Sequence, residues 1–274
     1  MEYYNFLTTP SGRYCEVRDI TNEEYLVMVK FIESENYKAF FQCLDEIVIK
    51  NIPDFDSFNI IDKCYVYLAM CMYSVRGSIT VNNKQLGEQL IQLSLIINNI
   101  ESEYKEKEFQ YEIKKGAVLT FGYPTSFSIE ENLPVIDWFS GFKKFNGIEV
   151  TSEMRDKLKS NLKAKDLMAI EYQSREEFNI EVDLFSGVPM NSMRVMLCSE
   201  SLLLNALFFY KYSLQTFYAE MYSCCKHLKM SFDDFMKRNH VEIEIFLGFA
   251  KKENEEMTKK DKSGMGRMAQ MMDE

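Results

Sequence analysis

The side chains best suited to metal chemistry lie near the C-terminal end, with Cys224, Cys225 and His227 within four positions and His240 beyond them. Thiolate and imidazole are the ligands that zinc prefers, and four of them in a tetrahedron make a closed structural site. The spacing works against that use. Neighbouring positions on a helix point about 100° apart, so Cys224 and Cys225 do not readily converge on one ion. No C-x-x-C pair is present to form half of a site. The four are candidate ligands whose pattern better fits small buried thiols beside a partly exposed histidine, and no metal or other cofactor is expected.

Nucleophilic catalysis needs a base beside the nucleophile, usually histidine. The chain has two, His227 and His240, and neither a G-x-S-x-G elbow nor a P-loop accompanies them. Paired carboxylates occur at Asp54/Asp56, Asp233/Asp234 and Glu242/Glu244. The first pair falls in a turn, the second at a helix start and the third around Ile243 on a mostly apolar helix, so each has a structural place already. Gly116, Gly122 and Gly141 lack the G-x-G-x-x-G spacing of a phosphate cradle. This points to a protein that is not an enzyme; a metal-dependent enzyme built on the Cys/His cluster is the rival of another class.

Binding chemistry is better represented. Met265, Met268, Met271 and Met272 crowd the last residues, and Met265, Met268 and Met272 share one face if that segment becomes helical. Flexible, polarizable Met side chains suit peptide-accepting surfaces, so these three are the candidate partner-binding residues.

The elements that must position these groups can be read along the chain. "YYNFLT" and "RYCEVRDI" flank the turn residues of "TPSG" as a hairpin over 3–20. Thr21 and Glu24 form a capping box that opens a helix with Tyr25, Met28, Val29 and Ile32 on one face. After a break near 34–36, Phe40, Cys43, Leu44, Ile47 and Val48 mark a second helix, which Pro53 ends. "IIDKCYVYLAMCMYSVR" is apolar on most sides and predicts a central third helix.

From Gly77 to Pro124, β-branched and alternating runs predict a small antiparallel sheet. Residues 85–100 also fit a helix through Leu86, Leu90, Leu93 and Ile97. Residues 126–198 carry the aromatic cluster Trp138, Phe139, Phe142 and Phe145, a polar helix after Thr151, and strands at "FNIEVDLF" and "SMRVMLC". A long helix is predicted over 199–229, with Leu203, Leu207, Tyr210, Leu214, Phe217 and Met221 on one face, flanked by Leu204, Phe208, Tyr212 and Tyr218. Ser231 and Asp234 then cap a helical segment running through "VEIEIFLGFAKKENEE".

The fold class read from this pattern is α+β: an N-terminal hairpin plus three helices, a small antiparallel sheet and a C-terminal helical hairpin. The expected divisions are an α+β module over 1–125, a mixed α/β region over 126–198, a helical hairpin over 199–262 and a flexible Met-rich tail over 263–274.

Composition narrows the partners. At 274 residues, 46% apolar and 14% aromatic, the chain has ample material for burial. Its formal charge of −10 argues against phosphate-backbone binding as a main task, so no nucleic-acid partner is expected. The apolar stretch 202–222 is interrupted by Asn205, Lys211, Gln215 and Glu220, so it is not expected to span a membrane. Seven scattered cysteines with no recognisable signal peptide fit reduced thiols of a cytosolic protein.

One longer pattern remains. "TPSGRYCEVRDITNEEYLVMVKFIESENYKAFFQCLDEIV" followed by "FDSFNIIDKCYVYLAMCMYSVRGSITV" resembles the baseplate hub assembly family of T4-type bacteriophages. The residues that carry the resemblance are Pro10, Gly12, Arg18, Glu24, Glu33-Ser34, Asp62 and Ser74-Val75, and "LTFGYP" at 119–124 is similar to the family's Tyr-Pro strand end. Arg76-Gly77 departs from the Gly-Glu of the pattern, and the chain's length is closer to the assembly-catalyst type than to the smaller hub subunit.

The resemblance implies a non-enzymatic phage protein that acts in assembly of the central baseplate hub. It would be an assembly factor or chaperone for hub or tape-measure proteins, or a permanent hub subunit. It would be located in the host cytoplasm or the virion baseplate, with self-association left open.

Overall fold

The turn at the first hairpin is made by Gly12, whose φ of +86° lies in the left-handed region that glycine enters without strain. It joins β1 (Tyr4–Thr8) to β2 (Tyr14–Arg18) in an antiparallel register that pairs Leu7 with Cys15. The computed structural model in which this is seen describes residues 4–83, 87–113, 116–178, 180–183, 194–197, 199–253 and 255. Its class is α+β, with the N-terminal strand hairpin present.

The expected capping box forms at α1 (Asn22–Glu33): the Thr21 hydroxyl accepts from the Glu24 amide and the Glu24 carboxylate accepts from the Thr21 amide. Two first-turn donors that have no partner within a helix are satisfied in this way. Arg18 forms a fork on the same carboxylate, which fixes the hairpin's exit against the helix. Tyr25, Met28, Val29 and Ile32 are all buried. Glu35, in the left-handed region at φ 56°, turns the chain, and Asn36 caps α2 (Tyr37–Ile49).

Asn59 caps α3 (Ile60–Ser74), which is buried along almost its whole surface, as its all-round apolar pattern requires. Both ends of α3 are tied to the hairpin region. At the start, the Asp62 carboxylate accepts from the Ser11 amide and hydroxyl; at the end, the Ser74 hydroxyl accepts from the Ile20 amide.

The strands that follow do not form the one sheet expected between Gly77 and Pro124. β3 (Ser78–Asn83) and β4 (Gly87–Gln92) make a separate hairpin. The alternative readings for 85–100 each hold for part of it: strand runs to Gln92, and α4 (Leu93–Glu103) takes over where Leu93, Ile96, Ile97 and Ile100 supply a buried helical face. That helix separates the strands. β5 (Phe109–Ile113) and β6 (Ala117–Phe121) pair instead with later partners, β9 (Phe142–Phe145) and β10 (Ile148–Glu149), in the order β10-β9-β6-β5.

Between β6 and β9 lie a further hairpin, β7 (Phe127–Glu130) with β8 (Leu133–Ile136), and a 3-10 turn at Trp138–Gly141. Of the predicted aromatic cluster, Phe139 and Phe142 pack on each other there with ring centres 5.3 Å apart, and both pack on Phe121, which stacks on Phe109.

The polar segment after Thr151 forms two helices, α5 (Ser152–Asn161), which has no buried residue, and α6 (Ala164–Glu177), which buries Ile170 and Ser174. The two predicted strands pair antiparallel as β11 (Ile180–Asp183) and β12 (Arg194–Leu197), against α4.

The long helix expected over 199–229 is broken. It consists of α7 (Ser199–Tyr210) and α8 (Leu214–His227), because the Ser213 hydroxyl accepts from Thr216 and starts a new helix while Glu33 accepts the Leu214 amide. The next segment is divided in the same way, into α9 (Phe232–Lys237) and a helix over 240–253, here α10. Arg238 is extended there, and the Asn239 side chain accepts from the Glu242 amide.

These C-terminal helices lie against the N-terminal ones: α7 packs on α3, and α8 and α9 on α1. Polar contacts join the same parts. The Asn22 amide donates to the Arg238 carbonyl at 2.7 Å, and its side chain to the Phe235 carbonyl at 3.0 Å. Asn239 donates to Asp19 at 2.6 Å, and the Tyr210 hydroxyl to the Tyr67 carbonyl at 2.9 Å.

Candidate functional site

His240 begins α10, and its side chain is fully buried at the junction of α1, α8 and the 211–213 break. Its ring lies 5.3 Å from that of Tyr25 and 5.1 Å from that of Tyr212, and is nearly parallel to Phe217. Two carboxylates face Nε2: Glu220 Oε2 at 3.5 Å and the half-exposed Glu244 at 4.0 Å.

Arg76, just beyond α3, completes the group. Its guanidinium stacks 4.6 Å over Tyr212 and donates to the Tyr25 hydroxyl at 3.0 Å. The Tyr212 hydroxyl in turn donates to Glu220. Both ring nitrogens of His240 and one oxygen of Glu220 are buried without a hydrogen-bond partner.

The electrostatics follow from this enclosure. Burial, with the Arg76 charge, lowers the His240 pKa to about 4, so the imidazole is neutral near pH 7. Burial pushes Glu220 up against the Tyr212 hydrogen bond that holds it down, with Glu244 adding to the rise and Arg76 opposing it. The cluster can take up or release protons. Cys64, Cys71 and Cys224 are pushed up by burial, Cys224 to about 11 and Cys71 to about 12, which keeps these thiols protonated and unreactive near neutral pH.

The four candidate metal ligands therefore separate. Cys224 is buried, Cys225 half-buried and His227 exposed along α8, while His240 faces Glu220 and Glu244. Among the described residues no group of three or more His, Cys, Asp or Glu is placed to hold a metal ion. Sequence reasoning missed Tyr25, Arg76, Tyr212 and Glu220 as partners of His240. The available signal was Glu220 itself, a carboxylate within a run of aromatic residues.

The surface is the second feature. Tyr218 and Tyr222 stand exposed one turn apart on α8, Ile245 and Phe249 one turn apart on α10, and Met168 and Tyr172 on α6. Lys226 reaches over the Tyr222 ring at 5.4 Å. Met265, Met268 and Met272 lie outside the described residues. No helix among the described residues is long and apolar enough to cross a membrane. Comparison of the chain with models of known families, with characterised proteins and with solved structures finds no match.

Proposed function

We propose that this chain is a non-enzymatic phage protein that acts by protein–protein contact in assembly of the central baseplate hub, as an assembly factor for hub or tape-measure polypeptides. The observation that carries the contact role is the pair of apolar helical faces, Tyr218/Tyr222 on α8 and Ile245/Phe249 on α10, the last 63% exposed. Large apolar side chains at one-turn spacing are the anchors by which helices dock on partner polypeptides. Beneath them, Phe217, Cys224 and Ile243 are buried, so the same helices are held by the core on their other side. The choice of partner rests on the resemblance of the first 82 residues and of 119–124 to the hub assembly family.

The reading is tested by affinity capture of the tagged full-length chain from phage-infected cells, beside the double variant Tyr222→Asp/Phe249→Asp. Hub or tape-measure proteins are expected with the parent chain and at least tenfold less of them with the variant, whose circular dichroism stays unchanged. Capture of no tail protein, or equal capture by a folded variant, overturns it.

A further inference from the structure

The N-terminal hairpin turn, the start of α3 and the four-stranded sheet line two adjoining cavities. Their volumes are about 240 and about 400 Å³, and they share Tyr123, Thr125 and Lys143. The larger lies within the roughly 300–1,000 Å³ typical of small-ligand sites. Four cationic side chains converge there, Arg13 on the smaller cavity, Lys144 and Arg155 on the larger and Lys143 on both. They stand among the lining carboxylates Glu106, Glu108 and Glu149, and Arg13 also lies 3.6 Å from Asp54.

The site is built rather than incidental. Two glycines let the chain pack closely here, Gly141 on the wall of the larger cavity and Gly122 beside Lys143. A Cβ at Gly122 would overlap the Lys143 side chain, and one at Gly141 would overlap the Gly122 carbonyl. Glycine at 122 leaves room for the Lys143 side chain, and glycine at 141 lets its segment approach the 122–124 backbone. The Ser140 hydroxyl accepts from the Thr125 and Ser126 amides at 2.8 and 3.1 Å and donates to the Asp137 carbonyl, which fixes the wall. Arg155 donates to the Phe142 carbonyl through one nitrogen, while its Nε is buried with no hydrogen-bond partner.

The lysines already hold an anion. Glu108 sits 3.2 Å from Lys143 and 3.4 Å from Lys144, and Glu106, three-quarters exposed, lies 3.9 Å from Lys143. Although burial alone would raise it, the Glu108 carboxyl is held below the usual range by these lysines. Glu149 on the rim is the remaining carboxylate of the larger cavity. An incoming oxyanion has to displace Glu108 and Glu106, side chains exposed enough to swing into solvent.

We infer that this cleft is a binding site for a small oxyanion ligand, a phosphate or carboxylate group held by Lys143, Lys144 and Arg155, with Glu108 as the internal anion it replaces. Arg suits this task because its planar fork matches two oxygens at once. The site is independent of the helical faces used for partner contact.

Isothermal titration of the full chain at low ionic strength, with sodium pyrophosphate in one arm and citrate in the other, tests it. Saturable binding of at least one probe is expected; pyrophosphate alone identifies a phosphate ligand and citrate alone a carboxylate one. Lys143→Gln and Arg155→Gln should each weaken binding about tenfold, while Glu108→Gln should strengthen it severalfold by removing the competitor. The gain in Glu108→Gln separates a binding role from a folding defect, since a damaged fold does not tighten binding. Saturable binding of neither probe, or affinities unchanged in all three variants, overturns the inference.

Discussion

His240 and its neighbours set a pH dependence that belongs to single residues. The folded state favours the neutral imidazole, with a pKa near 4 against an ordinary 6.5. The unfolded chain binds its proton first as pH falls, so this contribution is complete above about pH 6.5 and is lost toward pH 4. At about 1.4 kcal/mol per pH unit the loss amounts to about 3 kcal/mol. Glu220, raised by burial, acts in the opposite sense, stabilising the fold at low pH and less as pH rises through its folded value, and the half-exposed Glu244 does so more weakly. Urea unfolding of His240→Phe should therefore fall less steeply than the parent between pH 6.5 and 4.5. Parallel pH profiles for the two proteins would contradict the assignment.

Elements differ in how far their sequence determines them. α1 to α3 were legible from their apolar residues, α1 and α2 through a periodic face that the core buries and α3 through being apolar on most sides, with Thr21 marking the start of α1. The break at 211–213 was not, because the apolar periodicity of 203–221 runs through it undisturbed. The break is held by the Ser213 cap together with distant partners, namely Glu33 for the Leu214 amide and Tyr25 and His240 for the Tyr212 ring. The candidate site was illegible for the same reason, since Tyr25, Arg76, Glu220 and His240 come together only through tertiary packing. The single sheet expected between Gly77 and Pro124 failed locally, where the stripe beginning at Leu93 favoured helix over a third strand. Removing the α8 cap with Ser213→Ala should cost about 1 kcal/mol. Chemical denaturation checks this; a loss near zero would mean that the Glu33 contact alone sustains the break.

At the scale of the whole molecule, one hydrophobic core takes in Leu7 and Val17 of the hairpin, most of α3, Phe121 and Phe142 of the sheet, and Phe217 and Ile243 of the last helices. The start of α1 and the α9–α10 junction are joined through Asn22, Asp19 and Asn239. Asn22→Ala removes one of the two donors to the Phe235 carbonyl, which keeps the Arg238 amide at 3.3 Å, and should lower stability by about 1 kcal/mol. Amide exchange should show residues 232–253 opening before α3; uniform acceleration across the chain would contradict a local latch. The faces at Tyr218/Tyr222 and Ile245/Phe249 lie on helices held by this core, so a partner would meet a surface already in place rather than one that must first fold. Hydrogen exchange of the chain captured in complex with a proposed hub or tape-measure partner, compared with the free chain, tests that account most directly. It predicts slowed exchange over 214–227 and 240–253 with α3 unchanged; equal exchange of those segments in the free and bound chain would contradict it.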